Sequence, residues 1–467
     1  MSLATRLPRK ILTRLGRIVG PRSLLTDPGE LLAFESDALT IYRGAPAALV
    51  FVHGTDEVRR VVGTLHDAGL PFVPRGAGTG LSGGAVTNGG VIIEMSRMSR
   101  ILAIDTENRR ARVEPGVGNT QLGEAAARHG LMYAPDPSSQ PVCTLGGNIA
   151  ENSGGPHCLK YGVTSNHVLA LTVVLPDGEV VELSGPDAPG YDLVGLFVGS
   201  EGTLGICCEI EVRLVPAPEA VETLLAHFDA IDAAGHAVSA IIAAGIVPAA
   251  LEMIDRETIK AVEASIYAAG FPTDVAASLI VELDGPRAGL AGQARTVEEI
   301  LLEHGAREVA RAESETDRTR FWQARKKAFG AMGRLGPDLF VQDATVPRSR
   351  LPEVLGRVAE IGRKYDLLIT NVFHAGDGNL HPNIPFDRRD EEWLARVHAA
   401  GREIMEVCVG VGGTLTGEHG VGLDKRRYMP LIYSEDDLLA MRWVKEVFDP
   451  ADLCNPGKIL PDDGAPD

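Results

Sequence analysis

The chain has 467 residues, a formal net charge of −18 and 45% apolar residues. That is too long for one hydrophobic core and too acidic for nucleic acid to be a partner, so two or three domains are expected, and an anionic ligand would need a local Arg or Lys. No uncharged apolar run reaches the roughly 18 residues of a membrane-spanning helix. The six cysteines are scattered without C-x-x-C spacing, so neither a disulfide framework nor an iron–sulfur cluster is readable from them, and a reducing, cytoplasmic compartment is expected.

Residues 1–20 carry Arg6, Arg9, Lys10, Arg14 and Arg17 among Ile11, Leu12, Leu15, Ile18 and Val19 at helical spacing, with no secretory h-region. They read as a short amphipathic helix packed on the body, with peripheral contact to the inner membrane as the other role. Residues 56–68 place Val58, Val61, Val62 and Leu65 on one helical stripe, and residues 70–74 read as a buried strand, completing a β-α-β unit. That strand runs into Arg75-Gly-Ala-Gly-Thr-Gly-Leu-Ser-Gly-Gly84. Gly78, Gly80 and Gly83 match the Rossmann spacing, but that fingerprint must open a helix, and here residues 85–90 are a second turn-rich piece before a strand over 91–95. A glycine loop can still cradle a phosphate with successive N–H groups.

Two further glycine clusters follow, Thr144-Leu-Gly-Gly-Asn-Ile-Ala-Glu-Asn-Ser-Gly-Gly155 and Gly199-Ser-Glu-Gly-Thr-Leu-Gly205. Between them, residues 168–175 and 179–183 flank Pro176-Asp-Gly178 as a hairpin. Three glycine loops separated by strands suit a large cofactor. Leu214-Val-Pro-Ala-Pro218 reads as a linker, and beyond it helices over 232–244 and 255–269 alternate with strands such as 278–283. In His374-Ala-Gly-Asp-Gly-Asn-Leu-His381, Asp377-Gly378 signals a two-residue turn. His374 and His381 would then be cross-strand partners with Cβ atoms roughly 5 Å apart, near enough for both imidazoles to reach one divalent metal ion. Gly417-Glu418-His419-Gly420 follows, and a last helix over 435–448 precedes the turn Asn455-Pro-Gly-Lys458.

Taken together, the Pro74–Gly84 stretch, Pro135-Asp-Pro-Ser-Ser139, Gly199-Ser-Glu-Gly202, His374-x6-His381, Glu418-His-Gly420 and Asn455-Pro-Gly-Lys458 resemble the FAD-linked oxidases of the vanillyl-alcohol oxidase fold, nearest to the branch that oxidises glycolate and D-lactate. The resemblance implies an α+β chain: a two-part FAD-binding domain of the PCMH type and an α+β cap domain with an antiparallel sheet. It divides the chain into an N-terminal segment (1–45), the FAD-binding domain (46–218), the cap (219–425) and a C-terminal segment (426–467) that returns to the flavin. FAD contacts are expected from Pro74, Arg75, Gly76, Ala77, Gly78, Thr79, Gly80, Ser82 and Gly83, and from Pro135 and Asp136. Thr144, Gly146, Gly147, Asn148, Asn152, Gly154 and Gly155 follow, with Tyr161 and Gly162. Glu201, Gly202, Gly205, Ile206 and Asn455 complete the set. Thr79 stands where a covalently linked member would present His or Cys, so the FAD is expected to be non-covalent.

The chemistry implied is oxidation of a small 2-hydroxy acid at Cα. His374, His381 and Glu418 would hold a metal that lowers the pKa of the substrate hydroxyl, with Zn or Fe favoured over Mg because nitrogen ligands dominate. His419 is the candidate base and a substrate contact. Arg325 supplies a fork-shaped cation for the carboxylate, and Asn383 a further substrate contact. Relatives acting on a second carboxylate carry a lysine in the strand over 339–345, where Gln342 stands, which favours glycolate or D-lactate over D-2-hydroxyglutarate. Electrons would pass to an iron–sulfur partner subunit or a quinone. A reading from another class, a non-catalytic FAD-binding subunit, would have no need for Arg325, His374, His381, Glu418 and His419 together.

Overall fold

A computed structural model describes residues 7–185 and 188–462. Arg6 of the basic N-terminal stretch lies outside the described residues. The chain forms two compact units. The first takes residues up to Gly154, Val163–Ala217 and everything from Glu418 onward; the second takes Gly155–Gly162 and Pro218–Gly417.

In the first unit, strands Ala48–Phe51, Val91–Glu94 and Phe72–Arg75 pair in parallel, with the crossover helix Thr55–His66 burying Val58, Val61, Val62 and Leu65. The N-terminal helix Arg9–Val19 packs Ile11, Leu15 and Val19 into the same core, so its apolar stripe is used internally. A second sheet of five antiparallel strands runs in the order Ile101–Asp105, Arg110–Val113, Ile206–Arg213, Val168–Val174, Val180–Ser184. The expected hairpin of residues 168–183 is the last pair of this sheet. The C-terminal helix Glu435–Phe448, capped by the Ser434 side chain, leads back to this unit, where the Leu453 carbonyl accepts from the Phe72 N–H at 2.8 Å.

The second unit is a nine-stranded sheet. Its central strand Ala250–Asp255 pairs antiparallel with Ala277–Gly285 on one side and Thr370–His374 on the other, and it is buried along its whole length. The helix Glu315–Met332 starts at a Ser314 cap with Glu315 and Asp317 in its first turn, where negative charge is favoured. Phe321, Trp322, Ala324 and Ala328 face the sheet core beside Ile254 and Ile280.

Three local readings are corrected. The cluster at 144–155 is not only a loop: Leu145–Glu151 is helical, because the Thr144 hydroxyl caps it by accepting from the Gly147 N–H at 3.3 Å. The helix after Asp255 stops at Glu263 rather than near 269, since the Glu263 carboxylate accepts from the N–H groups of Ala269, Gly270 and Phe271. Asp377-Gly378 is not a two-residue turn: His374 pairs with Asn379, not His381, and the loop between them has four residues. Asp377 spends its side chain on the Asn379 N–H at 3.0 Å, and only Gly378 takes a positive φ, +81°.

Candidate active site

In the first unit the glycine stretches converge. A Cβ at Gly76 would lie 2.3 Å from the Thr144 hydroxyl, and one at Gly202 would lie 2.6 Å from the Pro74 ring. Backbone therefore runs against side chain at both approaches, which a larger residue would prevent. Asn455 ties the C-terminal turn to two of these stretches, donating from Nδ2 to the Gly84 carbonyl at 2.9 Å and the Glu201 carbonyl at 2.7 Å. Asn119, which no motif marked, donates to the Pro135 carbonyl and to Asn148 Oδ1. Arg75 faces inward, bonded to the Ser36 carbonyl at 3.0 Å and paired with Glu94 at 3.9 Å, and so braces the loop it opens.

Several groups around these stretches are buried polar atoms with no hydrogen-bond partner among the described residues: Ser82 Oγ, Asn455 Oδ1 and Asp37 Oδ2. Burial pushes the Asp37 carboxyl up to about 7, against the opposing hydrogen bond from the Leu39 N–H. Unpaired buried polar atoms are costly, and a cradle lined by glycine and by such atoms fits a large polar cofactor such as FAD. Gly155, Tyr161 and Gly162, by contrast, belong to the second unit, where the Tyr161 hydroxyl donates to Asp284 at 2.6 Å.

The segment that reopens the first unit begins with Glu418 and His419, with His419 Nε2 3.8 Å from a Glu418 carboxylate oxygen. It is held by Glu201, whose carboxylate accepts from the N–H groups of Val421 at 2.6 Å and Gly422 at 2.7 Å. Burial raises Glu201 to about 7, more than these bonds and Lys425 and Lys458 lower it.

The second unit brings its charged residues together around Glu252. This carboxylate is fully buried and register-paired with His374. One oxygen is 2.7 Å from His374 Nδ1 and the other accepts from Arg325 Nε at 2.5 Å. Burial opposes its charge, but His374 and Arg325 outweigh that and hold its pKa below the usual range. Arg325 is buried while Lys326 and Lys327 of the same helix are exposed, and its Nη2 has no partner among the described residues. The rings of His374 and His381 meet edge to face with centroids 5.1 Å apart, and one nitrogen of each lies within 4.8 Å of the other. Asp343, fully buried, sets one oxygen 3.4 Å from His381 Nε2 and uses the other to accept from the Thr416 hydroxyl and the Gly417 N–H. Two imidazoles with a carboxylate beside them suit Zn²⁺ or Fe²⁺ better than Mg²⁺.

One expected substrate contact looks different in place. Asn383 is buried and donates to the His381 carbonyl at 2.6 Å, so its amide N–H supports the histidine loop. Gln342 is fully buried and packs against Gly401. Glu252 and Asp343 escaped the sequence reading. An acidic residue inside an apolar strand such as Ala-Leu-Glu-Met-Ile-Asp was the available signal.

Comparison with known proteins accounts for this arrangement. Residues 46–184 match the FAD binding domain family, and residues 217–459 match the C-terminal domain of FAD linked oxidases. The chain is 46% identical to the glycolate oxidase subunit GlcD of Escherichia coli K12, over 95% of this chain and 89% of that one. It is 33% identical to a D-lactate dehydrogenase of Anaerostipes hadrus, over 94% and 95% respectively. A crystal structure of p-cresol methylhydroxylase with substrate bound superimposes with TM-score 0.84 at 17% identity, covering 98% of each chain, a likeness of fold. The molecule is thus an FAD-dependent oxidoreductase with an α+β, PCMH-type architecture. The chain belongs to the FAD-linked oxidase family.

Proposed function

We propose that the protein oxidises a small 2-hydroxy acid, glycolate or D-lactate, to the 2-oxo acid. The observation that carries this reading is the pairing, through one buried carboxylate, of a guanidinium with unspent donor capacity and an imidazole whose second nitrogen faces away from that carboxylate. A non-catalytic FAD-binding subunit would have no use for so costly a buried charge cluster. The names of the relatives, a glycolate oxidase subunit and a D-lactate dehydrogenase, support the substrate class.

In this reading Arg325 holds the substrate carboxylate with the Nη end of its fork, its Nε being committed to Glu252. His374 and His381, with Glu418 one residue beyond the Gly417 amide that Asp343 holds, would ligate a divalent ion, Zn²⁺ or Fe²⁺. Such an ion supplies Lewis acidity toward the hydroxyl. His419 accepts the hydroxyl proton. The residues around Ser82, Thr144, Glu201 and Asn455 hold FAD without a covalent link, and FAD supplies hydride acceptance. Burial raises the thiols of Cys143, Cys207 and Cys454, which keeps them protonated and poor nucleophiles for attachment. Electrons leave to an iron–sulfur partner subunit or a quinone. Among the described residues no helix is long and apolar enough to cross a membrane.

The test is dye-linked turnover of the FAD-loaded full chain with glycolate, D-lactate, L-lactate and D-2-hydroxyglutarate. Glycolate or D-lactate should be the best substrate. Preference for D-2-hydroxyglutarate would move the assignment to the dicarboxylate, and no turnover of any of the four would overturn it.

A further inference from the structure

We propose that Glu252 is a positioning residue for this site, one carboxylate that sets the tautomer of His374 and the orientation of Arg325 at once. The inference deepens the function proposed above and rests on it for what those two residues hold. An ionised carboxylate only accepts, so the 2.7 Å contact assigns the ring proton of His374 to Nδ1. The lone pair then lies on Nε2, the arrangement by which an outer carboxylate fixes a ligating imidazole and raises its basicity. The other oxygen takes Arg325 Nε at 2.5 Å. The bond at Nε fixes the plane of the guanidinium, and Nη2 is buried with no partner among the described residues.

Nothing else in the strand could do this. Glu252 is opposite His374 in the ladder, so both side chains rise from the same face, whereas Leu251 and Met253 point the other way. An amide at the same position has one acceptor oxygen and one donor NH₂. If the oxygen takes Arg325, the NH₂ faces His374 Nδ1 and drives the ring proton to Nε2, blocking metal ligation. If the oxygen takes His374, the NH₂ abuts the guanidinium and the fork loses its anchor. Either way one function is lost, which a merely space-filling role would not predict.

The experiment compares the wild-type and Glu252→Gln full chains, each containing FAD. Zn²⁺ affinity is measured by competition with a chelating dye, KM with glycolate and D-lactate, and FAD content by absorbance. We expect Glu252→Gln to weaken Zn²⁺ binding by about 10–100-fold, to raise KM by at least about 10-fold, or both, with FAD content unchanged. Zn²⁺ affinity and KM both at wild-type values in a flavin-loaded Glu252→Gln chain would overturn the inference alone. A wild type that neither binds Zn²⁺ nor turns over a hydroxy acid would overturn the proposed function and the inference with it. Because Glu252→Gln can fail to fold, the tautomer is also read directly in the metal-free wild type by ¹H–¹⁵N correlation of ¹⁵N-labelled histidine, with the His374 signal assigned by its loss in His374→Gln. The proton is expected on Nδ1; finding it on Nε2 would overturn the inference.

Discussion

The two units prepare for chemistry in opposite ways. Around the glycine stretches of the first unit, the backbone does the shaping and several buried polar atoms, Ser82 Oγ and Asn455 Oδ1 among them, have no partner among the described residues. Around Glu252 in the second unit, side chains do the shaping and the central carboxylate is satisfied on both oxygens. The first arrangement suits a large ligand that brings its own donors and acceptors. The second suits a small one whose charge must be met at fixed points. Damage should therefore separate: steric changes in the first unit cost cofactor, and charge changes in the second cost turnover while cofactor stays.

The largest effect should come from the histidine pair. His381→Ala, or a strong chelator on the wild type, is expected to cut turnover by at least about 10²-fold, the scale of a lost Lewis acid, with the flavin absorbance spectrum unchanged. Full activity in protein shown by elemental analysis to hold no stoichiometric metal would remove the metal from the second unit.

Arg325→Lys comes next. A point-charge ammonium cannot keep Nε on Glu252 and also present a fork, so kcat/KM should fall by roughly 10²-fold, mostly through KM, with FAD retained. Steady-state kinetics on the substrate panel check this, and wild-type values would return Arg325 to a purely structural pairing.

For the first unit, Gly202→Ala puts a methyl 2.6 Å from the Pro74 ring at a φ of +67°. FAD affinity should drop about 10-fold, corresponding to about 1.4 kcal/mol, as read by titrating apoprotein with FAD. Unaltered affinity joined to lower turnover would contradict the division of labour between the units.

The last effect is on stability rather than on binding or turnover and concerns Asp37, whose buried carboxyl is pushed up to about 7 from an ordinary 3.8. The folded state then holds a proton that the unfolded chain releases at lower pH, so this group's contribution is fully present below about pH 4 and is lost as pH rises toward 7. Asp37→Asn removes that loss. Urea unfolding of the apoprotein should show the variant gaining stability over wild type from pH 4 to 7, on the order of a few kcal/mol, and levelling off above. A difference independent of pH would mean that Asp37 ionises normally.

Much of this was legible locally. The helix over 55–66, the hairpin beginning at Val168 and the helix over 435–448 declare themselves through periodicity, turn residues and caps, which act over a few residues. The histidine pair was visible as two imidazoles close in sequence. Its register was not, because Asp377 forms a side-chain turn with Asn379 and lengthens the loop, yet the two rings still meet. Gln342 drew attention because it stands where relatives carry a lysine, but its burial against Gly401 was not legible from that position.

What the sequence determined by itself was the inventory: the glycine stretches that allow close backbone approach, the His and Glu-His motifs, a net charge of −18 that demands a local cation, and the family they resemble. What tertiary structure alone decided was which charges meet. Glu252 lies 122 residues from His374 and 73 from Arg325, and no local pattern links them. They are joined because antiparallel pairing of Ala250–Asp255 with Thr370–His374 sets Glu252 opposite His374, and because the Glu315–Met332 helix packs the face bearing Arg325 on the same sheet. Burial then made that meeting obligatory, since a carboxylate deprived of water is stable in the core only where donors satisfy both of its oxygens.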